Sequence, residues 1–432
     1  MTRFQLIFTG ILVTLGIAGV IVFATFKNSG EKTAPRVVMW GTLKSEYVNT
    51  FLSEVMLKKK DTINVSYIEK RSDTFEDDLI AALARGAGPD MVLLPQDLIV
   101  KQLDKFYITP YENYSERTFK DSFIQEGELY LMPTGIVGFP FAVDPMVMYW
   151  NKDLFAAVDA ALPPTSWTEF FGLVPKLTKK DETGNISQSL VAFGEVRNVT
   201  HAKDIISLLA IQAGTPIVTR GQQGNLASVF NTRNSSGLVP GEQAVSFFTE
   251  FSNPVKGSYS WNRALSNDRS SFIAGKLALY FGYASELVGI RDANPNLNFD
   301  VTVVPQTTAT LAGTARKMTF GNMNGVAILK SSRNVGAAFT AAVNLTNTDA
   351  QTLWVEKSGY PPVRRDLLTK LPGDAYMATF YRSALVSNAW LDPDREGTDS
   401  VFMKLVENIT SGRQRVSAAV TTASVEIDNF IR

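Results

Sequence analysis

Two carboxylates and a tryptophan stand beside predicted apolar strands, and their types suit the binding of a small polar molecule. Trp40 closes the apolar run RVVMW, and Asp97 comes two residues after the run MVLLP. Asp144 lies in the apolar stretch FAVDPMVM, where a lone charge is costly, so we expect a hydroxyl or a cationic side chain beside it. Each also has a structural interpretation: core packing for Trp40, a helix N-cap for Asp97 and an ion pair for Asp144.

Further aromatic and polar side chains occur in loops next to predicted helices and strands. Tyr283 follows Gly282 at the end of an apolar strand, and Trp390 lies in the loop SNAWLDPDREG, which has no evident need for a large buried ring. Additional candidates are Trp261, Asn262, Glu195 and Asn198. An aromatic face can pack on apolar groups of a ligand, while carboxylates and amides accept hydrogen bonds from its hydroxyls.

The composition excludes several classes of protein. Lys plus Arg equals Asp plus Glu, at 42 each, so no overall basic field exists that would attract nucleic acid. The chain has no cysteine, which removes disulfides, thiol nucleophiles and cysteine-ligated metals. His201 is the only histidine, and the acidic loop from Asp392 has Met403 where a calcium loop needs a glutamate. We therefore expect no metal and no cofactor.

The candidate residues are positioned by an alternation of strands and helices. The chain has 432 residues, too many for one hydrophobic core, so at least two domains are expected. Near the N-terminus the hydrophobic periodicity predicts strand, helix, strand, helix and strand at 36–40, 45–60, 64–69, 73–85 and 91–94. This order predicts a parallel sheet with right-handed crossovers. Ligands of such sheets lie beyond the carboxyl ends of the strands, here near 40–42 and 95–97.

The same patterns continue along the rest of the chain. Ser166 and Glu169 have the spacing of a capping box at the start of a helix. Strands are predicted at 277–281 and 299–305, and helices at 334–347, 349–359 and 414–431.

An uncharged apolar run occupies residues 4–26, between Arg3 and Lys27. As a helix it would reach about 35 Å, enough to cross a hydrocarbon core of about 30 Å. The run is longer than the apolar centre of most secretory signals, which favours an uncleaved signal-anchor. The alternative is a cleaved signal peptide, for which the small residue at Ala24 offers a passable site. Either interpretation exports the chain that follows Lys27.

Six segments stand in a fixed order from about residue 36 to the C-terminal third: VVMWGT, GPDMVLLPQD, GELYLMPTGIVGFPFAVDPMVMYWNKDLF, SFIAGKLALYFGYASEL, FDVTVVPQ and SGYPPVRRDLL. In their joint order and spacing they resemble the family 1 extracellular solute-binding proteins, the maltose-binding-protein-like receptors of ABC importers. The resemblance implies an α/β chain with a two-lobed periplasmic-binding-protein-like fold of type II and discontinuous lobes, preceded by an N-terminal transmembrane helix.

The expected division into domains rests on this resemblance and on the order of strands and helices. Residues 1–30 would be the signal-anchor and linker, 36–143 plus 300–347 the N-terminal lobe, and 148–299 plus 350–432 the C-terminal lobe. The crossing between the lobes would include the stretch from 127 to 155.

The resemblance also implies a function. The chain would be a monomeric extracytoplasmic receptor without enzymatic activity, which binds a small solute, above all a sugar or oligosaccharide, and delivers it to the permease subunits of an ABC importer. It would be anchored in the cell membrane by residues 4–26, or be secreted or periplasmic if the signal is cleaved. Two alternatives remain open: an exported carbohydrate-active enzyme with a pair of cleft carboxylates, and a membrane-tethered sensory binding subunit.

By position, the resemblance assigns seven residues to ligand binding in the cleft between the lobes. They are Trp40, Asp97, Asp144, Tyr283, Trp390, Glu195 and Trp261. The chain departs from the maltose receptors at Leu94, where those proteins carry an aromatic platform, so a maltose-type ligand is not implied.

Overall fold

The computed structural model describes residues 34–221 and 224–431. The predicted signal-anchor at 4–26 lies outside these residues. Among the residues that are described, none of the helices combines the length and the apolar character needed to cross a bilayer.

Strands occur throughout the described chain. They are β1 (Val37–Gly41), β2 (Val65–Glu69), β3 (Met91–Pro95), β4 (Leu131–Met132), β5 (Gly135–Ile136), β6 (Gly138–Asn151), β7 (Lys179–Lys180), β8 (Ile186–Val191), β9 (Val218–Arg220), β10 (Leu226–Ser228), β11 (Leu277–Tyr283), β12 (Phe299–Thr302), β13 (Thr319–Ile328) and β14 (Ser387–Asn388).

Helices alternate with these strands along the described chain. They are α1 (Ser45–Lys58), α2 (Phe75–Ala84), α3 (Glu116–Ser122), α4 (Lys152–Ala156), α5 (Phe170–Leu177), α6 (Ala202–Ala213), α7 (Pro240–Glu250), α8 (Asp268–Ile273), α9 (Glu286–Ala293), α10 (Thr308–Leu311), α11 (Val335–Leu345), α12 (Thr348–Ser358), α13 (Arg365–Leu368), α14 (Ala375–Leu385), α15 (Arg395–Thr410) and α16 (Val416–Ile431).

The N-terminal part forms the parallel sheet that the sequence predicts. Strands β2, β1 and β3 lie side by side in that order, with β1 parallel to both neighbours. Helix α1 turns Val48, Phe51, Leu52 and Val55 into the core, as its apolar periodicity predicts. Burying each such side chain contributes about 1.5–3 kcal/mol, which fixes the helix against the sheet.

One continuous sheet runs through both lobes. Strand β13 is antiparallel to β3 and to the long strand β6, and β6 continues into a second region where it pairs with β11 and β12. We call the region around β1–β3 the first lobe and the region around β8, β11 and β12 the second lobe. The chain passes between them where Gly321–Met323 of β13 pairs with Val143–Pro145 of β6.

The placement of helix α12 corrects the predicted division. The sequence analysis put residues 350–432 in the C-terminal lobe, but α12 packs on α1 of the first lobe. Trp354 meets Phe51 edge to face with ring centroids 5.6 Å apart, and Lys357 pairs with Glu54 at 2.6 Å. Helix α13 also contacts α3 of the first lobe. The apolar face of α12 predicts burial, but not the partner against which it is buried.

The position of strand β12 also contradicts the predicted division into lobes. Residues 300–347 were assigned to the N-terminal lobe, whereas Phe299–Thr302 pairs with the Met148–Asn151 end of β6 in the second lobe. The chain returns to the first lobe only with the Asn324–Ile328 end of β13. Helices α15 and α16 pack on each other and on α7 in the second lobe.

Candidate functional site

A cavity of about 570 Å³ lies between the two lobes. Its first-lobe wall consists of residues at the ends of the parallel strands or up to three positions after them, namely Thr42, Ser72, Pro95, Gln96 and Asp97. These are the carboxyl ends of the strands, where the topology predicts a ligand. The volume is in the usual range of small-molecule sites.

The second lobe and the crossing strand complete the cavity. Their lining residues are Val196, Val199 to Asp204, Tyr283, Asn322 to Asn324, Arg395, Asp399, Phe402 and Met403. Because the walls belong to different lobes, a ligand that fills the cavity contacts both lobes only when they are close together.

Close backbone packing sets the position of the first-lobe wall. Gly41 ends β1 so near to β3 that a Cβ there would lie 2.8 Å from the Cβ of Leu93. After β3, the Gln96 side chain donates to the Gly321 carbonyl at 2.6 Å and accepts from the Met323 amide at 3.2 Å. These bonds attach the loop to the crossing strand and leave Asp97 at the cavity.

Asp97 faces a cation of the other lobe. Its Oδ2 lies 3.4 Å from Nε of Arg395, while its Oδ1 is buried without a hydrogen bond. Burial raises the pKa of Asp97 to about 6, against the charge of Arg395, which lowers it. The geometry leaves Oδ1 of Asp97 as an acceptor for a donor of the ligand. Asn324, also in the lining, has a buried Oδ1 without a partner as well.

Tyr283 and His201 form the opposite wall. The Tyr283 hydroxyl donates to Asp204 at 2.7 Å, and the two rings meet edge to face with centroids 4.8 Å apart. His201 Nε2 lies 2.8 Å from a carboxyl oxygen of Glu286. Burial lowers the pKa of His201, but the hydrogen bond and charge of Glu286 outweigh it, so the net pKa is raised. The contact with Glu286 fixes the orientation of the imidazole, and the carboxylate favours its protonated form.

Lys203 holds the first turn of α15 beside the cavity. Its ammonium donates to Asp392 at 2.7 Å, to Asp399 at 2.7 Å and to the Thr398 hydroxyl at 2.8 Å. Helix α15 carries Arg395, so Lys203 positions the cation that meets Asp97.

The charged groups of the cavity are thus paired with one another. The cations Lys203 and Arg395 each have a carboxylate partner within 3.4 Å, and His201 lies 2.8 Å from the Glu286 carboxyl. A neutral, hydroxyl-bearing ligand is compatible with this balance, because it supplies donors and acceptors without adding net charge. Among the described residues, no cluster of three or more His, Asp or Glu side chains could hold a metal ion.

The sequence profile of the bacterial extracellular solute-binding proteins matches residues 48–379. The chain belongs to this family. The family consists of binding proteins that act outside the cytoplasm, so this solute-binding protein is extracytoplasmic. A protein of Brucella abortus (strain 2308) that is named as a binding protein is 22% identical over 368 residues, covering 82% of each chain.

Solved structures of sugar-binding proteins share the fold. The cyclic alpha-maltosyl-1,6-maltose binding protein from Arthrobacter globiformis superposes with a TM-score of 0.73 at 17% identity, covering 92% of this chain and 99% of that chain. The sugar-binding protein MalE from Xanthomonas citri gives a TM-score of 0.72 at 18% identity over 92% and 97% of the two chains. These likenesses confirm the expected two-lobed α/β fold.

Of the seven residues assigned from the sequence of this solute-binding protein, the structure brings Asp97 and Tyr283 together at the cavity. Trp40 is half-buried and does not line the cavity, and the Lys70 ammonium lies 4.0 Å from its ring centre. Asp144 accepts from the Ser285 amide at 3.0 Å near the crossing, and burial raises its pKa to about 7. The ion pair expected for Asp144 is thus replaced by a backbone hydrogen bond.

The remaining three residues belong to the interior of the second lobe. Trp390 is 4% exposed, and its indole donates to Ser207 at 3.1 Å. Trp261 is 1% exposed and donates to Asn198 at 3.1 Å. Glu195 is buried and accepts from Arg263 at 3.3 Å. None of the three lines the cavity.

Most of the charged lining of this solute-binding protein is not evident from its sequence. The sequence analysis notes His201 only as the single histidine, and it does not single out Lys203, Asp204 or Arg395. His201, Lys203 and Asp204 lie at the start of α6, and Arg395 begins α15. The available signal is the cluster HAKD at a helix start, which indicates polar groups at a helix end but not a shared cavity.

Proposed function

We propose that this solute-binding protein is the receptor of an ABC importer for a sugar or oligosaccharide, which it binds in the cavity between its lobes and delivers to the permease. The observation that carries the proposal is the cavity itself. Its polar walls come from the strand ends of one lobe and from α6 and α15 of the other. Closure around a ligand then gives a shape that a permease can distinguish from the empty protein.

The structural relatives support the ligand class. One is the cyclo/maltodextrin-binding protein in complex with maltotetraose, with a TM-score of 0.72 at 15% identity. Another is an ABC transporter solute-binding protein from Thermotoga lettingae bound with alpha-D-tagatose, with a TM-score of 0.66 at 19% identity. Ligands of both kinds are neutral and rich in hydroxyls, which agrees with the paired charges of this cavity.

Hydrogen bonding would contribute more to recognition than stacking. Tyr283 and Phe402 are the aromatic residues among the lining that the described chain provides, and both are buried. Leu94, at the position where the maltose receptors carry an aromatic platform, is fully buried in β3 and does not line the cavity. Asp97 and Asn324 supply acceptor oxygens, and Thr42 and Ser72 supply hydroxyls.

We further propose that the protein catalyses no reaction, acts as a monomer and is held at the outer face of the membrane by residues 4–26. The family supports the first point, since its members bind solutes. The apolar run supports the third. Fractionation of cells that express the full chain tests the anchor: a protein found only in the soluble extracytoplasmic fraction would contradict it.

A thermal-shift screen of the purified protein against neutral mono- and oligosaccharides tests the ligand class. A sugar at a hundred times its Kd should add about 2.7 kcal/mol to the free energy of unfolding. Conversion of any sugar to a product during the incubation would instead favour an enzyme.

A further inference from the structure

A second cavity, of about 560 Å³, lies apart from the interlobe site and shares no lining residue with it. One wall is the chain that comes after β3, and the other is the hairpin formed by β9 and β10. Val100, Leu103, Ile108 and Leu226 give the cavity apolar walls. Its charged lining residues are the cations Lys101, Arg220 and Lys330 and the carboxylate Asp104.

The guanidinium of Arg220 lacks an acidic partner. Its Nη1 donates to the Leu131 carbonyl at 2.6 Å and lies 3.1 Å from the sulfur of Met132. Within the described part of the chain, no carboxylate comes within 4.0 Å of it. Burial lowers the pKa of Arg220, which is the effect of removing water from a charge without supplying a counterion.

Lys330 is a second cation of the lining, but unlike Arg220 it is exposed to solvent. Its ammonium donates to the backbone carbonyl of Asp104 at 2.9 Å, and no carboxylate of residues 34–221 or 224–431 pairs with it. The Asp104 carboxylate forms its ion pair with Lys105, and the charge of Lys330 acts on it only at longer range. The third cation of the lining, Lys101, is already paired with Glu76 at 3.0 Å and with Asp394 at 3.1 Å.

A half-buried guanidinium without a carboxylate partner, with an exposed ammonium at the same apolar cavity, defines the chemistry of a ligand. A charge that is partly removed from water is stabilised by an opposite charge that also makes hydrogen bonds. An arginine presents its donors in a planar fork that matches an oxyanion. The apolar side chains can cover a hydrocarbon body, and the volume is in the range of small-ligand sites.

We propose that this cavity binds a small amphiphilic anion, with an oxyanion head group between Arg220 and Lys330 and an apolar chain along Val100, Leu103 and Ile108. The site is separate from the sugar cavity and does not depend on the sugar-receptor function. A neutral sugar has neither the negative charge nor the apolar chain that this second cavity would bind.

Equilibrium dialysis of the full chain with labelled octanoate tests the proposal. We expect saturable binding at one site, with octanamide, which has the same shape and no charge, at least about tenfold weaker. Arg220→Gln should weaken octanoate binding by about tenfold or more. The matched control is Arg233→Gln, since Arg233 is exposed, bonds a backbone carbonyl and lies outside the cavity, so its loss should change nothing.

Three results would overturn the proposal: no saturable octanoate binding, equal binding of octanoate and octanamide, or full binding by a folded Arg220→Gln variant. If that variant fails to fold, Lys330→Gln replaces it. Lys330 is exposed, so its substitution leaves the core intact. It should weaken octanoate binding about threefold or more, and an unchanged affinity would contradict the site.

Discussion

Asp97 pairs with Arg395 through one carboxyl oxygen and leaves the other without a partner. Substitution of Asp97 is therefore the most direct test of the interlobe site. Asp97→Asn should weaken sugar binding about tenfold or more, because a hydrogen bond to a charged acceptor contributes about 1.5–3 kcal/mol. The melting temperature of the empty protein should stay the same or rise, since burial disfavours the charge that is removed. Calorimetric titration and a thermal melt measure the two effects.

Asp77→Asn is the control for that substitution, because Asp77 is exposed and lies outside the cavity. It should leave both affinity and melting temperature unchanged. A loss of stability in Asp97→Asn with sugar binding intact would show that Asp97 has a structural role only.

Glu126 gives the protein a predictable pH dependence. The residue is 1% exposed, neither carboxyl oxygen has a hydrogen bond of good geometry, and burial raises its pKa from 4.5 to about 8, with the nearby Ser387 hydroxyl offsetting only part of this. Between these values the folded state holds a proton that the unfolded chain has lost. Its contribution to stability is therefore complete below pH 4.5 and disappears as the pH rises to about 8.

Glu126→Gln removes this titration. Urea unfolding at pH 5 and at pH 8 should show that wild type loses about 2 kcal/mol or more relative to the variant over this range. Glu112→Gln, at an exposed position, should behave like wild type. If the free energy of unfolding changes with pH in the same way for wild type and Glu126→Gln, then Glu126 is ionised in the folded protein over the whole range.

At the residue scale the sequence identifies the residues at strand ends and little else about the cavity. Asp97 is predicted because it follows a strand end, where parallel sheets bind ligands, and Tyr283 is predicted from the family resemblance of its position. Lys203 and Arg395 meet only through tertiary packing, across 192 positions of sequence. Trp390 and Trp261 are candidates as large rings in loops, but burial in the second lobe accounts for both.

Helix α15 depends on one buried cation for its position beside the cavity. Lys203 is 16% exposed and its partner Asp392 is 6% exposed. Lys203→Met should lower the free energy of unfolding by about 3 kcal/mol, because it leaves Asp392 buried and unpaired. It should also weaken sugar binding, since Arg395 is displaced with the helix. Urea unfolding and calorimetric titration measure these effects.

The comparison variant is Asp392→Asn, which leaves Lys203 with Asp399 and should lower the unfolding free energy less. The prediction is contradicted if Asp392→Asn lowers the free energy of unfolding as much as Lys203→Met does. The lysine would then be no more important to the helix than one of its two carboxylate partners.

The crossing strand β13 has no space for a side chain at Gly321. A Cβ there would overlap the Ser387 hydroxyl and the Glu126 carboxyl, so Gly321→Ala should lower the unfolding free energy by about 1–3 kcal/mol. Gly336→Ala, in helix α11 with nothing within 4 Å of the new methyl, should leave stability unchanged or raise it by up to about 1 kcal/mol. If both substitutions change the free energy of unfolding equally, the side chains around Gly321 can shift to make room for a methyl group.

At the element scale, periodicity predicts which segments are strands and helices and which face each buries. The strands and helices predicted between residues 36 and 94 are confirmed, as is the capping box at Ser166. Periodicity does not name the partner of an apolar face. For this reason the predicted lobes of α12 and β12 are wrong, although both segments were predicted with the right type.

The whole molecule combines a sheet that runs through both lobes with a cavity that needs both to be complete. The two strands that pass between the lobes, β6 and β13, pair at the crossing, Val143–Pro145 with Gly321–Met323, and we expect the lobes to close about this point. Ligand contacts made from both sides favour the closed arrangement, because only that arrangement satisfies them all.

The most direct measurement of the sugar-receptor function is a calorimetric titration of the purified protein with the sugar that gives the largest thermal shift, run for wild type and Asp97→Asn. We predict one sugar bound per chain, with affinity reduced about tenfold or more in the variant. A folded protein that binds no neutral sugar, or that binds one equally well without the Asp97 charge, would contradict the assignment of the interlobe cavity as a sugar site.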